Sequence, residues 1–226
     1  MAFLTLYDYR TKVKDNNLTA IIESDDSIRT EEELAVQSEV ESYLQHRYDI
    51  TKIFTDTLSW DRTTAFSIDD LIFLTATAYN AATTYAIDDQ VSFSGDIYIN
   101  ILGSTGIDPT NAANWTKIGT DNTFYSAITA NTNILPNVAA DWKAGDTRNQ
   151  LIRRVMIDLV LYHITARIKP RNIAEIIGTR RDEAITWLKM VARGEITTSL
   201  PTLLDADGNE EGLTLRYGTT KSTNLY

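Results

Sequence analysis

The sequence predicts an α+β fold: a helical bundle of about four helices, interrupted by an inserted small antiparallel β module and followed by an extended C-terminal arm. Three observations carry that expectation. The 226 residues are 43% hydrophobic and 23% charged, ordinary for a chain that buries a core. Residues 75–141 contain neither Glu nor Arg but 11 Thr and 8 Asn, which favours strands and turns. The flanks instead carry Glu, Arg, Leu and Ile at helical spacing. The expected units are a discontinuous helical domain over 1–48 and 146–200, a β-rich insert over 49–145 with its core at about 79–119, and an arm over 201–226.

Thr5-x-x-Asp8 has the form of a capping box before a short helix at about Leu6–Val13. Thr30-x-x-Glu33 marks a second start, and Val36, Val40, Tyr43 and Leu44 then form one apolar stripe, ending at about His46. In the insert, Gln90–Ile99 alternates around Ser94-Gly95-Asp96, a hairpin signal, and Asp108-Pro109-Thr110-Asn111 is a turn. Tyr79, Tyr85, Tyr98 and Trp115 are the aromatics expected to pin a three-stranded sheet. Phe66-Ser67-Ile68-Asp69-Asp70 echoes Tyr85-Ala86-Ile87-Asp88-Asp89 at an offset of 19 residues; chance and a duplicated β unit are the two readings.

Asp146 is placed to cap a long helix, Thr147–Ile168. Leu151, Ile152, Val155, Met156, Leu159, Tyr162 and Ile164 give it more than one apolar face, so it is expected at the centre, with Pro170 stopping it. A last helix, Thr179–Arg193, has Ala184, Trp187, Leu188 and Val191 as its stripe and Gly194 just past its end. Tyr43, Leu44, Leu159, Tyr162, Trp187 and Leu188 are the expected helical core. Leu203–Leu204 and Leu213–Tyr217 read as short strands, and the polar end closes on Leu225–Tyr226.

Cysteine is absent, which excludes disulfides, thiolate metal sites and thiol catalysis; two histidines, His46 and His163, argue against a multi-histidine metal site. Both read as structural helix residues. Asp88-Asp89 and Asp205-x-Asp207-x-Asn209 read as turns; the second has Glu210 and Arg216 where a calcium loop needs Gly and Glu. No phosphate loop, zinc-protease motif or nucleophile elbow is present, so no catalytic, metal or cofactor-binding residues are expected. Met1–Tyr7 is too short for an export signal and no run is long enough to span a membrane, so a soluble chain is expected. The net charge of −10 is uneven: residues 143–193 hold 11 basic and 5 acidic residues, whereas 23–49 are mainly acidic. Arg153-Arg154 and Arg180-Arg181 have two readings, contacts to phosphate or charge on a solvated helix face or in a subunit interface.

The flanks resemble the head-to-tail connector (adaptor) proteins of tailed bacteriophages. The residues that carry this are Glu39-Val40-Glu41-Ser42-Tyr43-Leu44-Gln45-His46-Arg47-Tyr48, Arg148-Asn149-Gln150-Leu151-Ile152 through Leu159-Val160-Leu161-Tyr162-His163, and Arg180-Arg181-Asp182-Glu183-Ala184-Ile185-Thr186-Trp187-Leu188-Lys189 through Gly194-Glu195-Ile196. The resemblance implies a non-enzymatic virion protein of the neck, made in the host cytoplasm. Its subunits would form a ring, commonly of twelve, extending the DNA channel from the portal toward the tail. The implied partners are the portal protein, neighbouring copies, further tail or ring proteins, and genomic DNA passing without sequence-specific binding; no cofactor and no membrane is implied. The portal-docking arm would centre on Leu213, Thr214, Leu215, Arg216 and Tyr217, with Leu225 and Tyr226 at its end.

The insert resembles the small chitin-binding-type carbohydrate modules, through Tyr85-x-x-Asp88-Asp89-x-Val91, Gly95-x-x-Tyr98 and Gly106-x-x-Pro109 leading to Trp115. Where such modules carry stacking aromatics this chain has Ile107 and Asn100-Ile101-Leu102. The resemblance implies, as an alternative function, carbohydrate binding by the insert.

Overall fold

A computed structural model describes residues 3–168 and 173–204. Pro170, the Asp205–Asn209 turn and the proposed arm residues Leu213–Tyr217, Leu225 and Tyr226 lie outside the described residues.

The expected bundle of about four helices does not form. The described residues build a mixed α/β fold with six helices and several sheets, strand-rich in its middle. Before the β region come α1 (Leu6–Tyr9), α2 (Asp15–Ile21), α3 (Asp26–Leu44) and α4 (Ile50–Ile53); after it come α5 (Gln150–Ile168) and α6 (Glu175–Arg193). The first helix is shorter than the sequence suggests because Lys14 is extended (φ −73°, ψ 147°), so that α2 starts anew at Asp15. α3 begins a turn earlier than Thr30. Asp25 caps it, its carboxylate accepting the Ser27 N–H at 3.0 Å. α5 is capped by Asn149, which accepts the Leu151 and Ile152 N–H groups, and not by Asp146. α6 starts at Glu175 and ends where Gly194 takes the left-handed conformation (φ 72°). α3, α5 and α6 pack on one another. Their core includes Val36, Val40, Leu44, Leu159, Ile164 and Leu188, and residues from both ends of the chain contribute to it. No helix among the described residues is long and apolar enough to cross a membrane.

The β region runs through β1 (Thr57–Leu58), β2 (Ala65–Phe66), β3 (Leu71–Leu74), β4 (Thr84–Tyr85), β5 (Gln90–Phe93), β6 (Asp96–Asn100), β7 (Ser104–Thr105), β8 (Trp115–Thr120), β9 (Thr123–Ala127), β10 (Asn131–Thr132) and β11 (Trp142–Ala144). Strands β5-β6-β8 form a three-stranded antiparallel sheet, and β4 pairs with β7. The β5–β6 hairpin turns at Ser94-Gly95, both with positive φ (54° and 85°), as its alternation predicts.

This unit occurs twice, one copy nested in the other. Strands β3-β9-β11 repeat the arrangement of β5-β6-β8, and the β2–β10 pair repeats β4–β7. The first half of the outer copy lies 19 residues before its inner counterpart and the second half 27 residues after it. Asp69 and Asp88 share a left-handed backbone (φ 71° and 72°). Asp70 and Asp89 each accept a backbone N–H three residues back, from Ser67 and Ala86, at 2.7 Å. Phe66 meets Trp142 edge-on at 5.1 Å and 73°; Tyr85 meets Trp115 at 5.3 Å and 71°. The Trp142 and Trp115 indoles donate to the Ile134 and Ile107 carbonyls at 3.1 and 3.0 Å. The echo at residues 66–70 and 85–89 is therefore a structural repeat. The inner copy occupies residues 75–122, between Leu74 and Thr123, the counterparts of Phe93 and Asp96 that flank the inner hairpin turn.

Candidate interaction surfaces

The described residues stack in three layers: helices, outer sheet, inner sheet. Charged side chains join the first two. Arg148, with its side chain fully buried, donates to both oxygens of Asp8 at 2.9 Å and to Asp146, and its guanidinium lies 4.3 Å from the Phe124 ring centroid of β9. Arg153 also pairs with Asp8 and Asp146. Asp8 also accepts the Thr5 N–H at 2.7 Å, so the predicted capping residue also ties α1 to Arg148 and Arg153. Burial pushes the Asp146 carboxyl up, but the hydrogen bonds and charge of Arg148 outweigh it and hold the group below its ordinary value. A second buried group links α1 to α3. The Tyr9 hydroxyl donates to Glu33 at 2.7 Å and Arg29 pairs with the same oxygen. Burial, opposed by Arg29 and the Tyr9 hydrogen bond, leaves the Glu33 carboxyl above its ordinary value.

Much of the acidic and basic character of the two flanks is used within the chain. Arg167 pairs with Glu31 and Glu32, Lys12 with Asp158, and His163 lies 3.4 Å from Glu39. Arg181 covers the Tyr162 ring at 5.3 Å. His46, Lys189 and Arg193 are exposed. Of the expected helical core, Leu44, Leu159 and Leu188 are fully buried, and Tyr43 and Trp187 pack against the cluster at its edge. Tyr162 is only half-buried and stands outside the cluster, beneath Arg181.

The segment that leads toward 205–226 leaves the helical core along Tyr48. Thr202 forms an antiparallel bridge to Tyr48, the Asp49 N–H donates to Pro201 at 2.9 Å and the Leu203 N–H to Arg47 at 3.1 Å. A cavity of about 450 Å³ lies beside it, lined by Lys52, Thr147, Asn149, Leu200 and Pro201 among others.

In the insert, Tyr85 and Trp115 are core residues, whereas Tyr79 and Tyr98 are partly buried at the edge of that core on one sheet face. Sequence reasoning missed Phe93 on that face and the outer-copy aromatics Trp60 and Trp142; the shared Ala-Ala-x-Trp of residues 112–115 and 139–142, at the 27-residue offset, was the available signal. Asp88 makes an ion pair with Arg62 at 3.0 Å, bridging the two copies. The described residues contain no group of three or more side chains placed to hold a metal ion. No family model, no curated protein and no solved structure matches this chain.

Proposed function

We propose that this chain is a structural ring subunit of the phage neck, a head-to-tail connector that docks on a portal and carries an inserted β region. The observation that supports this reading most is the single helical core built from residues at both ends of the chain, from which the β region departs and to which it returns. Such a core gives a ring subunit a rigid frame, and insertions between its helices add surface without disturbing it. Closed rings need two different complementary faces per subunit. The outer face of α6, with exposed Asp182, Glu183, Lys189 and Arg193, offers polar contacts of both signs for one of them.

Docking is assigned to the arm, with main-chain hydrogen bonds from 213–217 added to a portal sheet edge. The test is a mass measurement of the chain alone, mixed with its portal, and again after deletion of 201–226. The expected result is a ring-sized complex with the full chain and none with the truncated one. Unchanged docking by the truncated chain would remove the arm from the reading; no complex with either would remove the connector reading.

A further inference from the structure

The nested repeat shows how one copy of the β unit covers another. Trp60, Leu74 and Tyr125 line the front of the outer sheet, and the back of the inner sheet lies on them through Ile97, Ile99 and Ile118, all fully buried in one cluster. The fit is close. The Tyr125 hydroxyl accepts the Thr120 N–H at 2.9 Å, and a Cβ on Gly119 would stand 2.6 Å from Leu74 Cδ2. In the inner copy the counterparts of Trp60, Leu74 and Tyr125 are Tyr79, Phe93 and Tyr98. These three are only partly buried, Tyr79 and Tyr98 packing against the small core of Tyr85, Val91 and Trp115, with the Tyr79 and Phe93 rings edge-to-face at 5.7 Å. The same face is thus fully covered in one copy and only partly covered in the other.

We infer that the Tyr79–Phe93–Tyr98 face docks a partner protein through an aliphatic β-sheet face, seated as Ile97, Ile99 and Ile118 are seated on the outer copy. The covered copy shows what fits: branched aliphatic side chains over the rings and one backbone N–H directed at the tyrosine hydroxyl. The Lys117–Asp96 ion pair (2.6 Å) does not obstruct this. Its outer counterparts, Ala144 and Thr123, stay exposed and half-exposed even where the face is covered, so the pair falls on the solvated rim. A second copy of this chain cannot be the partner through this geometry, because the backs of both its sheets are already buried: Ile97, Ile99 and Ile118 on the outer copy, Leu71 and Phe124 toward the helices. The inference does not depend on the connector reading.

The test grafts a third copy into the full chain, replacing Ser94-Gly95 with a repeat of residues 75–122, as the inner copy itself replaces the outer turn. Docking should slow hydrogen exchange in β5 and β6 by roughly tenfold or more. Changing the three grafted isoleucines to serine should remove that protection. A folded graft that leaves β5 and β6 exchange unchanged overturns the inference. If the graft does not fold, the natural chain decides. It should bind anilinonaphthalene sulfonate and lose that binding in Phe93→Lys; no binding by the natural chain overturns the proposal. Chitohexaose is the third arm: saturation transfer from Tyr79 and Tyr98 to the sugar would make the face a glycan site and equally overturn it.

Discussion

Single residues tie the layers together through buried charge. Arg148 neutralises Asp8 where neither meets solvent, so removing Arg148 leaves Asp8 with only the longer ion pair to Arg153 at 3.3 Å. Arg148→Met should cost about 3–5 kcal/mol in urea denaturation, and adding Asp8→Asn should recover part of it. Asp146 supplies a pH dependence of known sign. Its carboxyl lies below the ordinary value in the folded chain, so the folded state releases this proton more readily than the unfolded state does. Its contribution is complete above the ordinary carboxylate range and is lost as pH falls through it toward the folded value. The stability gap between the natural chain and Asp146→Asn should therefore shrink as pH falls below about 5. None of this was legible in the sequence beyond the Thr5–Asp8 cap. Asp8 and Arg148 are 140 residues apart, and a long-range ion pair leaves no local pattern.

At the scale of elements, the two β copies depend on each other in one direction. Trp142 sits in the cluster that the inner sheet also shares, whereas Trp115 sits in a smaller one of its own. Trp142→Ala should cost about 3–5 kcal/mol and raise hydrogen exchange in both copies, but Trp115→Ala should raise it mainly over residues 77–121. Gly119→Ala should cost about 1–3 kcal/mol by forcing the new methyl against Leu74 and Tyr125. The inner hairpin was readable because Gln90–Ile99 alternates and its turn needs Gly95. The repeat was only half-readable. Insertion of one copy into the turn of the other splits the similarity into offsets of opposite direction, so no single shift aligns both halves. The extra helices of the flanks leave little sequence signal for a different reason. Helix starts at Asp15 and Asp26 follow short polar breaks, and such segments are held by packing that their own periodicity does not announce.

Across the whole molecule the order of layers sets what can be removed. The helical core draws nothing from the inner copy: its buried cluster is made of residues before 55 and after 151. The outer copy, in contrast, lends Phe73 and Phe124 to contacts with Tyr7 and Arg148 at the helical face. Excising residues 75–122 and joining Leu74 to Thr123 through Ser-Gly would recreate, in the outer copy, the hairpin turn found in the inner one. Trp60, Leu74 and Tyr125 would then lose their cover, at about 1.5–3 kcal/mol for each side chain fully re-exposed. The excised chain should keep its helical circular dichroism and its slow exchange over α3 and α5, while tryptophan emission shifts to the red as Trp60 meets water. Loss of the helical signal would show that the inner copy supports the frame itself. Retention would place it as the outermost of three layers, resting on the others and leaving its own front only partly covered.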